Sequence, residues 1–70
     1  MSFYVYNDNY LVGRWYWNQE RAKWVKLYEK PTLFTTERDA ETAIVTFLLL
    51  HPNLSGQTIG IVDETKVGTL

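Results

Sequence analysis

A single segment of this 70-residue chain has the apolar spacing of an amphipathic helix, and the other patterned segments have strand composition. The apolar residues of the helical segment recur at intervals of three and four, as on one face of a helix. They are Ala40, Ala43, Ile44, Phe47 and Leu48. Thr36 (or Thr35) can cap the helix start, and His51-Pro52 ends it because the residue before a proline avoids helical angles. One helix can cover only one face of a small sheet, so these segments provide no second helix to cover the other face.

Four segments have the aromatic and β-branched composition of strands. They are residues 2–7, 10–17, 23–29 and 58–62. Asp8-Asn9 fits a two-residue hairpin turn, and Gln19 to Ala22 fit a four-residue loop. Pro31 interrupts the third strand because proline cannot donate a hydrogen bond to a sheet.

The order of these segments predicts an α+β fold. We expect a three-stranded antiparallel meander, one helix packed on one face, and one further short strand after a loop at residues 54–56. Residues 1–63 are predicted to form a single domain, and residues 64–70 a loose C-terminal tail.

The two turns also set the strand register and therefore decide which side chains share a face. Val5 is predicted to pair with Val12, and Trp17 with Trp24. Because side chains alternate along a strand, one face then holds most of the aliphatic residues: Phe3, Val5, Tyr10, Val12, Arg14, Tyr16, Val25 and Leu27. The opposite face is rich in aromatic residues: Tyr4, Tyr6, Leu11, Gly13, Trp15, Trp17, Trp24, Lys26 and Tyr28.

We expect the helix to pack on the aliphatic face, with the Arg14 stem buried and its charge at the rim. The aromatic face would then be exposed, and a contiguous Tyr/Trp patch usually marks an interaction surface. Two alternatives stay open. The helix could cover the tryptophan side, which would make Trp15 and Trp24 ordinary core residues, or a one-residue slip could scatter the aromatics over both faces.

Catalytic, metal and cofactor functions have little support in the residue pattern. The chain has one histidine, His51, at a predicted helix end, and the acidic residues Glu37 and Glu41 fit a solvated helix start. The absence of cysteine excludes disulfides and thiolate metal sites. The glycines form no phosphate-binding loop. We therefore expect no enzyme, no cofactor and no metal.

A binding function fits the aromatic face better. We expect a non-catalytic module that binds a protein, either a foreign partner or a second copy, through Tyr4, Tyr6, Trp15, Trp17, Trp24, Lys26 and Tyr28. The alternative is single-stranded nucleic acid stacked on the same face, since Lys26 lies among the rings and residues 14–30 carry five basic and two acidic side chains. The formal net charge of −1 gives little attraction for phosphate.

The sequence also lacks the pattern of a membrane or secreted chain. No basic stretch precedes a long apolar run at the N-terminus. The longest apolar run is residues 47–50, against about 20 residues needed to cross a bilayer. We expect a cytoplasmic protein without membrane contact.

An aromatic opening hairpin, Lys23-Trp24, Phe34-Thr35-Thr36 and Ala40 together resemble a pattern found in small proteins of phages and prophages. The pattern is a strand meander, a tryptophan, a Phe-Ser/Thr helix entry and an alanine on the helix, and it covers about residues 3–50. The resemblance implies a phage accessory protein, and such proteins commonly bind and block a host protein. It assigns no role to any residue.

Overall fold

Four antiparallel strands and one helix make up the part of the chain that the computed structural model describes, residues 2–9, 13–51 and 57–67. The strands lie in the order β3-β2-β1-β4. Their bounds are β1 Phe3–Asn9, β2 Gly13–Asn18, β3 Lys23–Val25 and β4 Gln57–Asp63, with α1 spanning Glu37–Leu50. Two short 3-10 turns, Leu27–Glu29 and Glu64–Lys66, complete the fold. The predicted α+β architecture is confirmed.

Several sequence predictions fall outside the described residues. They concern residues 10–12 of the second predicted strand, Pro52 as the helix stop, the loop at 54–56, and residues 68–70 of the tail. The described start of that tail forms the turn Glu64–Lys66, where Asp63 Oδ1 accepts a hydrogen bond from the Thr65 N–H at 2.9 Å.

Helix α1 begins where its sequence predicts. Thr36 caps it, with its side-chain oxygen accepting a hydrogen bond from the Asp39 N–H at 3.1 Å. Ala40 is fully buried, so the helix meets the sheet at a small side chain. The ring of Phe47 lies 5.2 Å from that of Trp17 and 5.1 Å from that of Trp24. The helix therefore covers the side of the sheet that carries tryptophans.

The predicted register of the first hairpin is wrong. Asp8 and Asn9 do not form a turn but continue β1, and Asn7 pairs with Trp15 instead of Tyr10, a displacement of five residues. Two features favour the observed pairing. Gly13 begins β2 at φ 85°, a conformation that glycine adopts without strain, and Asp8 lies opposite Arg14, with which it forms an ion pair. Because the displacement is an odd number of residues, each side chain of β2 lies on the opposite face from the predicted one, relative to the side chains of β1.

The second hairpin has the predicted register, with Trp17 opposite Trp24 and Tyr16 opposite Val25. The two pairings together define two faces. The helix face carries Phe3, Val5, Asn7, Trp15, Trp17, Trp24, Ile59 and Ile61. The opposite face, here called the tyrosine face, carries Tyr4, Tyr6, Asp8, Arg14, Tyr16, Val25, Thr58, Gly60 and Val62. The prediction that the tryptophans lie opposite the helix is therefore wrong. As in the alternative, Trp15 and Trp24 lie on the helix side, where both are half-buried.

The third strand is shorter than predicted because the chain turns after Val25. The Lys26 N–H donates to a Glu29 carboxylate oxygen at 2.9 Å, which closes a 3-10 turn, and Lys30 then adopts φ 57°. Leu27 therefore lies in this turn and not in β3. The Asn18 side chain donates to the Lys30 carbonyl at 3.3 Å and so holds this connection over one end of the tyrosine face.

Residues 32–34 then pass between β1 and β2, beyond the part where those strands pair. The Thr32 N–H donates to the Trp17 carbonyl at 3.1 Å. Phe34 exchanges two backbone hydrogen bonds with Phe3, of 2.9 and 2.8 Å. This insertion carries the chain across the sheet plane to the helix face, where α1 begins.

We predict that Phe47→Ala lowers the free energy of unfolding by about 3 kcal/mol, the lower end for a large aromatic ring because Phe47 keeps some exposure. Leu49→Ala is the matched control on the same helix. Its side chain is 80% exposed, so its effect should stay within about 0.5 kcal/mol. Urea unfolding measures both, and equal losses in the two variants would contradict the helix placement.

Candidate functional site

The structure divides the seven predicted binding residues among three places. Trp15, Trp17, Trp24 and Lys26 lie on the helix side, where the Lys26 ammonium sits 4.1 Å from the centroid of the Trp15 ring. Tyr4 and Tyr6 lie on the tyrosine face. Tyr28 projects from the 3-10 turn after β3 and is 83% exposed. These residues therefore do not form one patch.

The tyrosine face is the side of the sheet that α1 leaves uncovered, and α1 is the single α-helix among the described residues. Tyr4 and Tyr16 lie on it and pack edge to face, with ring centroids 5.4 Å apart and an angle of 66° between the rings. Both rings are partly exposed. Edge-to-face contact is a preferred geometry of aromatic pairs, so it favours this relative orientation of the two rings.

Tyr6 of β1 pairs with Gly60 of β4, and its ring extends over that glycine. A Cβ atom on Gly60 would come within 2.5 Å of Tyr6 Oη, so the ring uses the space that the glycine leaves. The Arg14 guanidinium carbon lies 4.0 Å from the centroid of the same ring. Tyr6 is thus held between a neighbouring strand and a cation.

Arg14 is fixed in turn by Asp8. Its Nε donates to Asp8 Oδ1 at 2.6 Å and its Nη2 donates to Oδ2 at 2.8 Å, a bidentate pair. These hydrogen bonds hold the pKa of Asp8 below its usual range, against the opposing effect of burial, and they raise the pKa of Arg14. Both side chains are 42% exposed, so the pair orients the guanidinium more than it stabilises the fold.

The phenol of Tyr4 is the third perturbed group on this face. Burial raises its pKa, and the negative charge of Glu64 and the neighbouring Tyr16 add to the effect. A tyrosine whose pKa is raised stays protonated and can donate a hydrogen bond at neutral pH.

The arrangement offers hydrogen bonding and ring contacts but no evident acid–base pair. Two cavities of about 360 and 180 Å³ lie along the same flank of the helix, since Gln19, Ala43 and Thr46 line both. Asp39 is the ionisable residue in the lining of the larger cavity, and His51 in that of the smaller. His51 stacks on Phe47, with ring centroids 4.6 Å apart. Among the described residues no three potential ligands cluster as a metal site would require.

Sequence reasoning missed the residues that organise this face, namely Asp8, Arg14, Tyr16 and Gly60. One signal was present in the sequence. Gly13 and the opposite charges of Asp8 and Arg14 fit a hairpin in which Asp8 pairs with Arg14, and that register places Tyr16 opposite Tyr6. The contact between Tyr6 and Gly60 joins two strands that are far apart in sequence, so no local sequence pattern predicts it.

Comparisons with known proteins identify no relative of this chain. No protein-family model, curated protein or solved structure matches the chain. The helix of the described part is too short to cross a membrane. What the tyrosine face does is therefore inferred from its own geometry.

We predict energetic coupling between Gly60 and Tyr6. Gly60→Ala should lower the free energy of unfolding by about 1 kcal/mol or more, because the added methyl group displaces the ring. In a Tyr6→Ala background the same change should be nearly neutral. A double-mutant cycle by urea unfolding should give a coupling of about 0.5–3 kcal/mol, and additive effects would show that the ring does not occupy this space.

The ion pair predicts a pH dependence. Because the folded state lowers the pKa of Asp8, its contribution to stability is present above about pH 3.9, the unfolded value, and is lost as pH falls through the folded value. The stability difference between wild type and Asp8→Asn should stay below about 1 kcal/mol at neutral pH and vanish in acid. Carboxyl NMR titration provides the control, since Arg14→Gln should move the Asp8 midpoint back up. An unchanged midpoint would contradict the pairing.

Proposed function

We propose that this chain is a small non-catalytic module of the cytoplasm that binds another protein through the tyrosine face. The observation that carries the proposal is the joint fixing of Tyr4, Tyr6, Tyr16 and Arg14 on the side of the sheet that the helix leaves uncovered. Tyrosine and arginine are enriched at protein interfaces and among their energetically dominant residues.

The rigidity of this face supports binding. Ordering a flexible side chain at an interface costs about 0.5–1.5 kcal/mol. Here Arg14 is already held by Asp8 and by the Tyr6 ring, and Tyr4 is held by Tyr16. A partner would therefore meet side chains that have lost much of their freedom on folding.

The same contacts favour a protein over single-stranded nucleic acid. Stacking of bases needs open ring faces and uncompensated positive charge. Arg14 occupies a face of Tyr6, and Asp8 neutralises Arg14 in a bidentate pair. Glu64 adds negative charge near Tyr4, and Lys26 lies on the helix side. The sequence resemblance to phage accessory proteins suggests a host protein as the partner.

Two matched double variants test which surface binds. Tyr4→Ser with Arg14→Ser alters the tyrosine face. Val45→Ser with Leu49→Ser alters the outer side of α1, where these residues are 56% and 80% exposed. Each variant and the wild type are used as bait in lysate from the cells that encode the chain, with and without nuclease, and captured proteins are titrated by calorimetry.

We expect the tyrosine-face variant to weaken binding by about tenfold or more, which corresponds to about 1.4 kcal/mol. The helix variant should bind within about twofold of wild type, and thermal melts check that both fold. Equal binding by the tyrosine-face variant would overturn the proposal. Capture that disappears with nuclease, and binding that falls steeply with salt, would favour the nucleic-acid alternative.

A further inference from the structure

The two edges of the sheet differ in their protection against pairing with another strand. β3 has 3 residues, begins with Lys23, and leads through Lys26 and Lys30 to Pro31. Short strands, lysine and proline are the features that prevent edge-to-edge association. β4 has 7 residues, pairs with β1 along its whole length in one register, and contains neither lysine nor proline. The edge at β4 therefore lacks the protection present at β3.

The hydrogen-bond pattern shows which residues of β4 direct their backbone outward. The Glu64 N–H donates to the Ser2 carbonyl at 3.0 Å, whereas both backbone groups of Phe3 bond to Phe34 on the other side of β1. Backbone groups alternate between the two sides of a strand. The even-numbered residues of β4 therefore face β1. The odd-numbered ones direct N–H and C=O to an edge that no described strand occupies, and these are Gln57, Ile59, Ile61 and Asp63.

We propose that this edge pairs with β4 of a second copy of the chain, antiparallel and with Gly60 on the two-fold axis. Centring on Gly60 pairs all 7 residues of each β4 strand. Ile59 then lies opposite Ile61 of the second copy, and the two exchange both backbone hydrogen bonds. The proposal rests on the strand edge and does not depend on what the tyrosine face binds.

The side chains of β4 are compatible with this pairing. Ile59 of one copy faces Ile61 of the other on the helix side of the sheet, and Thr58 faces Val62 of the other copy on the tyrosine face. Asp63 lies opposite Gln57, so the two carboxylates do not oppose each other, as like charges directly opposite would destabilise the pair. The strand is therefore self-complementary in this register, as a two-fold interface requires.

Helix α1 supplies a second surface for the same contact. One flank of α1 lines the larger cavity, beside the connection that precedes the helix, through Thr42, Ala43 and Thr46. Leu48 lies on the opposite flank, which is the flank towards β4. Leu48 is 42% exposed. Since α1 packs over β1 and β4, two strand spacings, about 10 Å, would separate the two helices. That distance suits direct helix packing.

Cysteine cross-linking tests the register, because the native chain has no cysteine. In the proposed dimer, Thr58 of one copy lies opposite Val62 of the other, in a pair without mutual hydrogen bonds. Their Cα atoms would be about 4.5 Å apart, a distance that a disulfide can span. Two Thr58 residues would lie about 14 Å apart. A mixture of Thr58→Cys and Val62→Cys proteins in glutathione buffer should give a cross-linked dimer at least about tenfold faster than either variant alone.

Equal cross-linking by Thr58→Cys alone, or no faster reaction in the mixture, would overturn the proposed register. Reducing and non-reducing gels with mass spectrometry of the linked peptide distinguish these results.

Backbone methylation tests the edge itself without changing a side chain. In chemically synthesised protein, N-methylation of Ile61 blocks an outward N–H of β4, and N-methylation of Trp24 is the matched change on the outer edge of β3. Sedimentation equilibrium from micromolar to millimolar protein should show a wild-type dimer. Methylated Ile61 should dimerise at least about tenfold more weakly, and methylated Trp24 as wild type. A wild-type monomer throughout, or an unchanged dimer after Ile61 methylation, would overturn the proposal.

Discussion

The pairing of Asn7 with Trp15 in the first hairpin governs what each face of this sheet does. It places the tryptophans of β2 on the same side as Val5 and Ile61, and the helix packs on that side. Tyr6, Arg14 and Tyr16 are then left together on the other side. The Asp8–Arg14 ion pair contributes little stability at its level of exposure, but it forms only in this register, and it fixes the guanidinium over Tyr6.

The passage of residues 32–34 between β1 and β2 lets a short chain bring its helix to the tryptophan side. Asn18 holds the connection before this passage through the Lys30 carbonyl, and Phe34 exchanges hydrogen bonds with Phe3 after it. The insertion satisfies backbone groups where β1 and β2 no longer pair, which is a requirement for any buried segment. It also shortens β3, because the chain must turn after Val25 to reach the gap.

The two proposals concern different parts of the same sheet, and they are geometrically compatible. Pairing of two β4 strands around an axis perpendicular to the sheet would keep both helices on one side. The tyrosine faces of the two copies would then be continuous across the new contact. Tyr6 already extends over Gly60 towards that edge, so the two rings would approach each other across two glycines. A dimer would present a larger tyrosine face than either copy alone.

The local features of this fold could be predicted from sequence. The helix start at Thr36 and the pairing of Trp17 with Trp24 follow from capping and loop length, both of which act over a few residues. The composition also indicated correctly that aromatic rings would dominate the sheet.

Tertiary structure decided which rings are covered. Asp8-Asn9 is a plausible turn by itself, but the pairing of Asp8 with Arg14 and the positive φ of Gly13 favour a hairpin displaced by five residues. An odd displacement exchanges the two faces, so one local error moved every site residue of β1 relative to β2. The place of Tyr6 over Gly60 depends on the pairing of β1 with β4, strands at opposite ends of the chain. Sequence therefore determined the elements and their order, while non-local pairing decided which side of the sheet remains available to a partner.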